Sequence, residues 1–378
     1  MTDPGRSLRH PSRFGIASLA AAAALLAAGL AQPAPAAAVP SSAAAATASV
    51  TAADGGAPAG VTTLSTGWQT PWGITFMPNG RSALVTERLD YQVYRLDRNG
   101  TKKRVGEVPY TVPEPYEQGA GGLLGVAPSP TWNGTTDKRV FFMHTTQNET
   151  RVVRMDYNGT SLSNYKPILT GIRRGGDHNG GKIAFGPDGY LYVATGDALQ
   201  PKLAQDKGSL NGKILRITKT GAAAPGNPFG NHIYSYGHRN PQGLVWDRKG
   251  RLWSAEIGEQ TWDEVNLIKK GANYGWPGCE GSCNVKGMTN PKATFAPEQA
   301  VPAQLAVVNN VLYMSALRGQ RLWRLPIDNE RIGTKTSFYA GKYGRLRAVA
   351  QVPGTNELWL GTSDLGYGKD KILRVTVK

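Results

Sequence analysis

Cysteine is nearly absent from this 378-residue chain, and acidic side chains are scarce beside basic ones, with 27 Asp and Glu against 43 Lys and Arg. The two cysteines, Cys279 and Cys283, stand in Gly-Cys-Glu-Gly-Ser-Cys, too few for a thiolate zinc centre without further ligands nearby. There is no Gly-x-Gly-x-x-Gly at a strand-to-helix turn, which excludes a nicotinamide held in the dinucleotide-binding manner, and no Gly-x-Ser-x-Gly elbow for a serine hydrolase. No long amphipathic helical pattern appears, which argues against a helical solenoid. The net charge of +16 invites nucleic acid as a partner, but the basic residues are scattered, form no run of five or more and carry no nucleic-acid motif. An anionic small molecule suits the charge equally well, so nucleic acid is not expected.

The N-terminus has Arg6, Arg9, His10 and Arg13 ahead of an apolar, Ala-rich run over 16–30, followed by Ala-x-Ala steps near 35–38. That is the layout of a secretory signal peptide over 1–38. The run is shorter than the roughly 20 residues of a spanning helix, so no membrane span is expected. Residues 39–60 are almost all Ala, Ser, Thr, Pro and Gly, a composition that buries too little apolar surface to offset ordering and reads as a flexible leader. The folded part is expected over 61–378. In a secreted chain, two cysteines this close read as a disulfide rather than a metal pair.

Six segments share one grammar: a turn of Asn, Asp or Gly, a short apolar strand, a polar loop, and a second strand carrying Arg or Lys. They run from NGRSALVTE to YQVYRLDRNG, DKRVFFMHT to TRVVRMDYNG, DGYLYVATGD to GKILRITKTG, KGRLWSAEIG to DEVNLIKKG, NNVLYMSAL to QRLWRLPID, and NELWLGTSD to KILRVTVK. Leu84, Phe141, Leu191, Leu252, Leu312 and Leu358 read as equivalent positions, giving a period near 50 residues. Such a period predicts blades, each covering its neighbour's apolar face. The expected fold is all-β, a six-bladed β-propeller of four-stranded antiparallel blades; a β-sandwich would not generate six similar units.

Loops at one end of a propeller converge on its axis, and the unusual polar residues fall in comparable loops. In RRGGDHNGGKIAFGPDGYLYVATGD, His178 sits between glycines that leave room for a ligand to approach, with Asp177 beside it and Asp197 at the end of the next strand. It reads either as a turn histidine or as a base, since histidine exchanges its proton near neutral pH. Arg239-Asn240-Pro241 fixes a turn that aims Arg and Asn together. Arg318, Arg345 and Arg347 add planar donors suited to carboxylates. Four cations around one axis call for an anion with several charges. A base beside an anchored anion suits oxidation of an alcohol, and hydrolysis would use the same pieces. Glu256-Ile257-Gly258-Glu259, Asp263-Glu264 and Asn273-Tyr274-Gly275-Trp276 offer hard oxygen donors, for calcium or merely as a solvated acidic loop.

The segments RRGGDHNGGKIAFGPDGYLYVATGD, YGHRNPQGLVWD, DEVNLIKKGANYGWP and GAGGLLGVAPSP together resemble the soluble PQQ-dependent aldose dehydrogenases of glucose/sorbosone type, over nearly the whole chain from about Val61. That resemblance implies a six-bladed propeller that oxidises aldoses at C1 to lactones and passes electrons to an external acceptor. It implies that His178 is the general base, removing the C1 hydroxyl proton as hydride passes to quinone carbon C5, with Asp197 in support and Asp177 on the substrate. Arg239 and Asn240 match the pair that contacts the quinone. Arg318 falls where the family has a basic residue, and Arg345 and Arg347 match its arginine pair, together neutralising the three PQQ carboxylates. Gly258 and Glu259 match the carbonyl ligands of a calcium that polarises the quinone; Glu264 and Tyr274 match ligands of a second, structural calcium. The chain departs from the pattern at Ala120, where a polar residue usually precedes Gly-Gly-Leu-Leu, with Gln118 and Glu117 nearby, and at Glu259, where proline is usual. The competing expectations are a calcium-dependent lactonase-type hydrolase and a non-catalytic propeller that has lost its cofactor, in a monomer or a homodimer.

Overall fold

Apolar residues on both faces of a short strand demand cover on both sides, and the second strand of each unit has that character: Ser82–Glu87 and Val311–Ala316 are buried along their whole length. The computed structural model describes residues 56–109, 119–363 and 368–378, and in it each of the six units is an antiparallel sheet, four-stranded in five cases and five-stranded in one. The expected signal peptide lies outside the described residues. In an outer strand such as Lys102–Glu107 only Val105 is buried, so polarity rises from axis to rim within a blade.

The innermost strands are Pro71–Phe76, Leu123–Pro128, Ile183–Phe185, Pro241–Trp246, Pro302–Val308 and Leu346–Gln351. Each touches the next and the last touches the first, so the ring closes. Gly73, Gly125 and Gly243 stand where an added Cβ would press on the backbone of the adjacent innermost strand, which lets the strands approach near the axis. Five of the six carry a register shift close to their first residue. These bulges splay the strand starts at one end of the ring.

Six apolar clusters fill the six gaps between blades. They correct one detail of the repeat. Leu84 and Phe141 lie opposite Arg95 and Arg154 and pack toward the following blade. In the later blades the residue opposite arginine is Tyr192, Tyr313 or Trp359, one place after the position taken as equivalent. Ala83 and Val140 are therefore the true counterparts of Leu191, because the face of a strand changes with every residue.

The ring is closed by a strand absent from the repeat pattern. Pro58–Trp68 pairs antiparallel with Asp370–Val377, giving the last blade its outer strand from the start of the chain. It begins within the stretch expected to be leader; an outermost strand needs main-chain partners more than apolar side chains, and proline is tolerated at its first residue. Among the described residues no helix is long and apolar enough to cross a membrane.

One buried histidine gives a prediction about stability. His144 is fully buried in the second strand of blade two, Nδ1 facing the Thr145 carbonyl at 3.1 Å and Nε2 facing the Tyr165 hydroxyl at 3.1 Å. Burial pushes its pKa down to about 4. The unfolded chain then binds the proton first, so stability is full above about pH 6.5 and falls by about 3 kcal/mol on acidification to pH 4. Denaturant unfolding at several pH values should show this slope, and His144→Gln should lack it; an equal slope in the variant would remove His144 as its cause.

Candidate functional site

The splayed strand starts and the loops beside them enclose a cavity of about 360 Å³ on the axis. Every blade contributes to its wall, with Thr70, Ala120, His178, Asn240, Leu317 and Arg345 as one residue from each.

His178 reaches the cavity through a backbone few residues adopt, φ +56°. Asn179 fixes that turn by accepting from Gly175 N and donating back to its carbonyl, both at 3.0 Å. Gly196 packs against it so closely that a Cβ there would overlap the His178 carbonyl oxygen. The imidazole Nδ1 lies 2.8 Å from Asp197 Oδ1. Asp197, 1% exposed, also accepts from Leu199 N at 2.9 Å and, through Oδ2, from Trp276 Nε1 at 2.8 Å. A carboxylate so held accepts the Nδ1 proton, which leaves Nε2 as the ring's lone-pair nitrogen. The pairing fixes the ring's tautomer and leaves Nε2 with an unshared lone pair.

Across the axis stand Arg345 and Arg347, from the start of the innermost strand of blade six. Arg347 donates to Gln242 Oε1 at 2.5 Å and lies 5.2 Å from the Trp72 ring. Burial, then Arg88 and Arg345, push its pKa down to about 9. Arg88 also lines the cavity; burial and Arg345 lower its pKa while Asp177 raises it. Among the described residues Asp177 is the only carboxylate in the wall, and it is itself exposed. Asn240 accepts from Gly180 N at 3.0 Å and Gln242 Nε2 at 3.2 Å, so what it offers the cavity is its own amide donor.

The other expected residues lie around this cavity rather than in its wall. Arg239 is half-buried, 5.3 Å from the Trp276 ring, and donates to the carbonyl of Gly258. Arg318 is 62% exposed and pairs with Glu298 at 3.8 Å, so the structure does not bring it to the other arginines. Glu259 is exposed; its amide, with those of Gln260, Thr261 and Trp262, converges on Glu280 Oε1. Glu264 is buried opposite Glu256 on the neighbouring strand, and burial followed by that second carboxylate pushes its pKa up to about 8. The Tyr274 hydroxyl is committed to Leu267 O at 2.7 Å and Lys269 N at 2.8 Å, which leaves its carbonyl as the available donor. Cys279 and Cys283 form a disulfide. Among the described residues no three His, Cys, Asp or Glu converge as a metal group, and Gln118 and Glu117 lie outside them.

Sequence reasoning passed over Arg88 and gave no role to the side chains of Trp276 and Gln242. The last two lie inside quoted motifs, where aromatic and amide side chains beside candidate residues were the available signal. Arg88 follows the second strand of blade one, at the strand end that in blade three bears Asp197.

Residues 68–373 match the sequence profile of the glucose/sorbosone dehydrogenase family. The quinoprotein glucose dehydrogenase B of Acinetobacter calcoaceticus is 33% identical over 257 residues, covering 57% of this chain and 52% of that protein. An aldose sugar dehydrogenase of Streptomyces coelicolor, solved in its PQQ-bound form, is 42% identical with a TM-score of 0.78, over 85% of this chain and 100% of that one. An oxidoreductase from Thermus thermophilus described as a putative glucose dehydrogenase is 38% identical with a TM-score of 0.76, over 84% of this chain and 99% of that one. A profile that runs from the first blade into the last settles the kinship, and the chain belongs to the glucose/sorbosone dehydrogenase family of sugar oxidoreductases.

Proposed function

We propose that the protein oxidises aldose sugars at C1 to lactones, using PQQ as cofactor and calcium as its metal, outside the cytoplasm. The observation that carries this reading is the pairing, in one cavity, of an oriented base with a cluster of guanidinium groups that has, among the described residues, only the Asp177 carboxylate in the same wall. Three carboxylates on PQQ fit Arg345 and Arg347, and burial beside Arg88 and Arg345 raises the cost of the Arg347 charge until an anion enters. Asn240 adds a neutral donor, and Arg239, its chain neighbour, reaches the Gly258 carbonyl. The buried Glu264 fits one ligand of a divalent cation, while its cross-strand neighbour Glu256 is held by His238 Nδ1 and Arg239 N; a calcium at the Gly258 carbonyl would displace the Arg239 hydrogen bond. The disulfide fits an oxidising compartment.

When bound, PQQ supplies the two-electron acceptor and calcium polarises its quinone. His178 Nε2 takes the proton of the C1 hydroxyl, and Asp197 stabilises the imidazolium that forms. Asp177, at the cavity's rim, is placed to orient the sugar. A lactonase would want axial carboxylates to hold its metal, and the described wall offers only Asp177.

Dye-linked oxidation of an aldose panel, with PQQ and calcium supplied together and then each omitted, tests the reading. Turnover should need both, with removal of either lowering it at least about 100-fold. Turnover independent of PQQ, or lactone hydrolysis without oxidation, would overturn it.

A further inference from the structure

Arg88 is 6% exposed and its Nε is buried without a hydrogen-bond partner. Its Nη1 donates to the Gly119 carbonyl at 2.5 Å, and its own carbonyl accepts from Leu123 N at 2.8 Å. A Cβ at Gly122 would overlap that carbonyl, so the glycine segment after residue 118 is wrapped around this arginine. Holding one carbonyl needs only a neutral donor, and a glutamine would serve. A guanidinium instead brings further donors and a full charge into a wall that already holds Arg345 and Arg347, with Asp177 as the one carboxylate of that wall among the described residues. Ala120, on the segment Arg88 supports, has no side-chain donor to offer.

We propose that Arg88 is a third guanidinium contact to a carboxylate of the cofactor, giving beside Ala120 the anchoring that residue 120 cannot, and that it sets preference for a fully ionised ligand. This rests on the PQQ reading above. Arg88 binds and positions; it touches no reacting atom.

The test is titration of apoprotein with PQQ and with PQQ trimethyl ester at fixed calcium, followed by tryptophan fluorescence, for wild type, Arg88→Gln and Arg88→Lys. Arg88→Gln should raise Kd for the free acid about 10- to 100-fold, with Arg88→Lys intermediate, and change Kd for the ester less than about 3-fold. Equal binding of the free acid by Arg88→Gln overturns the proposal. So does an equal loss for acid and ester, which would mean that Arg88 only supports the glycine segment. If Arg88→Gln does not fold, Arg88→Lys carries the same comparison on a smaller scale. Wild-type protein that takes up no PQQ would sink the function proposed above and this role with it, whereas tight wild-type binding beside an unaffected variant sinks this role alone.

Discussion

His178→Ala is expected to lower kcat for aldose oxidation about 1,000-fold while leaving Kd for PQQ within about 3-fold of wild type. The separation follows from geometry. The ring is tied to the protein through Nδ1 and Asp197, so removing it deletes the group at Nε2 that accepts the proton, while the guanidinium groups across the axis stay in place. Asp197→Asn should give a smaller loss, about 100-fold, by another route. An asparagine nitrogen facing Nδ1 would turn the ring to the tautomer protonated at Nε2 and take away the acceptor. Both variants should be compared by steady-state rate and by cofactor titration. An alanine variant that kept a tenth of wild-type turnover would end the assignment of His178 as base. Loss of PQQ binding in the same variant would instead make it a cofactor ligand.

The repeat was legible because each blade must present apolar residues to two neighbours, and that requirement recurs whatever the loops do. Its phase was less legible: Leu84 and Leu191 look alike in sequence yet face opposite neighbours, since one residue of offset reverses a strand. The N-terminal strand left no trace because an outermost strand is held by backbone hydrogen bonds, and its sequence blends into the low-complexity stretch before it. His178, Asp197, Asn240, Arg345 and Arg347 could be picked out because glycine, proline and charge cluster around them in loops of equivalent position. Arg88 could not, since arginine at a strand end is ordinary and its burial depends on a glycine segment some thirty residues later. Arg318 shows the converse, a residue chosen on sequence position whose side chain the fold directs to solvent.

Arg347→Gln is expected to stabilise the apoprotein while weakening PQQ binding about 100- to 1,000-fold. In wild type the guanidinium is buried beside Arg88 and Arg345, and the fall of its pKa to about 9 means that folding without a ligand works against its charge. Near pH 7 the group remains protonated in both states, so that cost, roughly several kcal/mol, is present throughout the physiological range. Glutamine keeps a polar side chain near Gln242 and the Trp72 ring but removes one of three like charges. The apoprotein should therefore melt a few degrees higher. With saturating PQQ the order should reverse, because ligand bound only by the folded state adds stability in proportion to affinity, and wild type has more of it. Melting curves with and without cofactor, together with a titration, measure both halves. A variant apoprotein less stable than wild type, still binding PQQ as tightly, would show that Arg347 is held by packing and not kept under electrostatic strain for an anion.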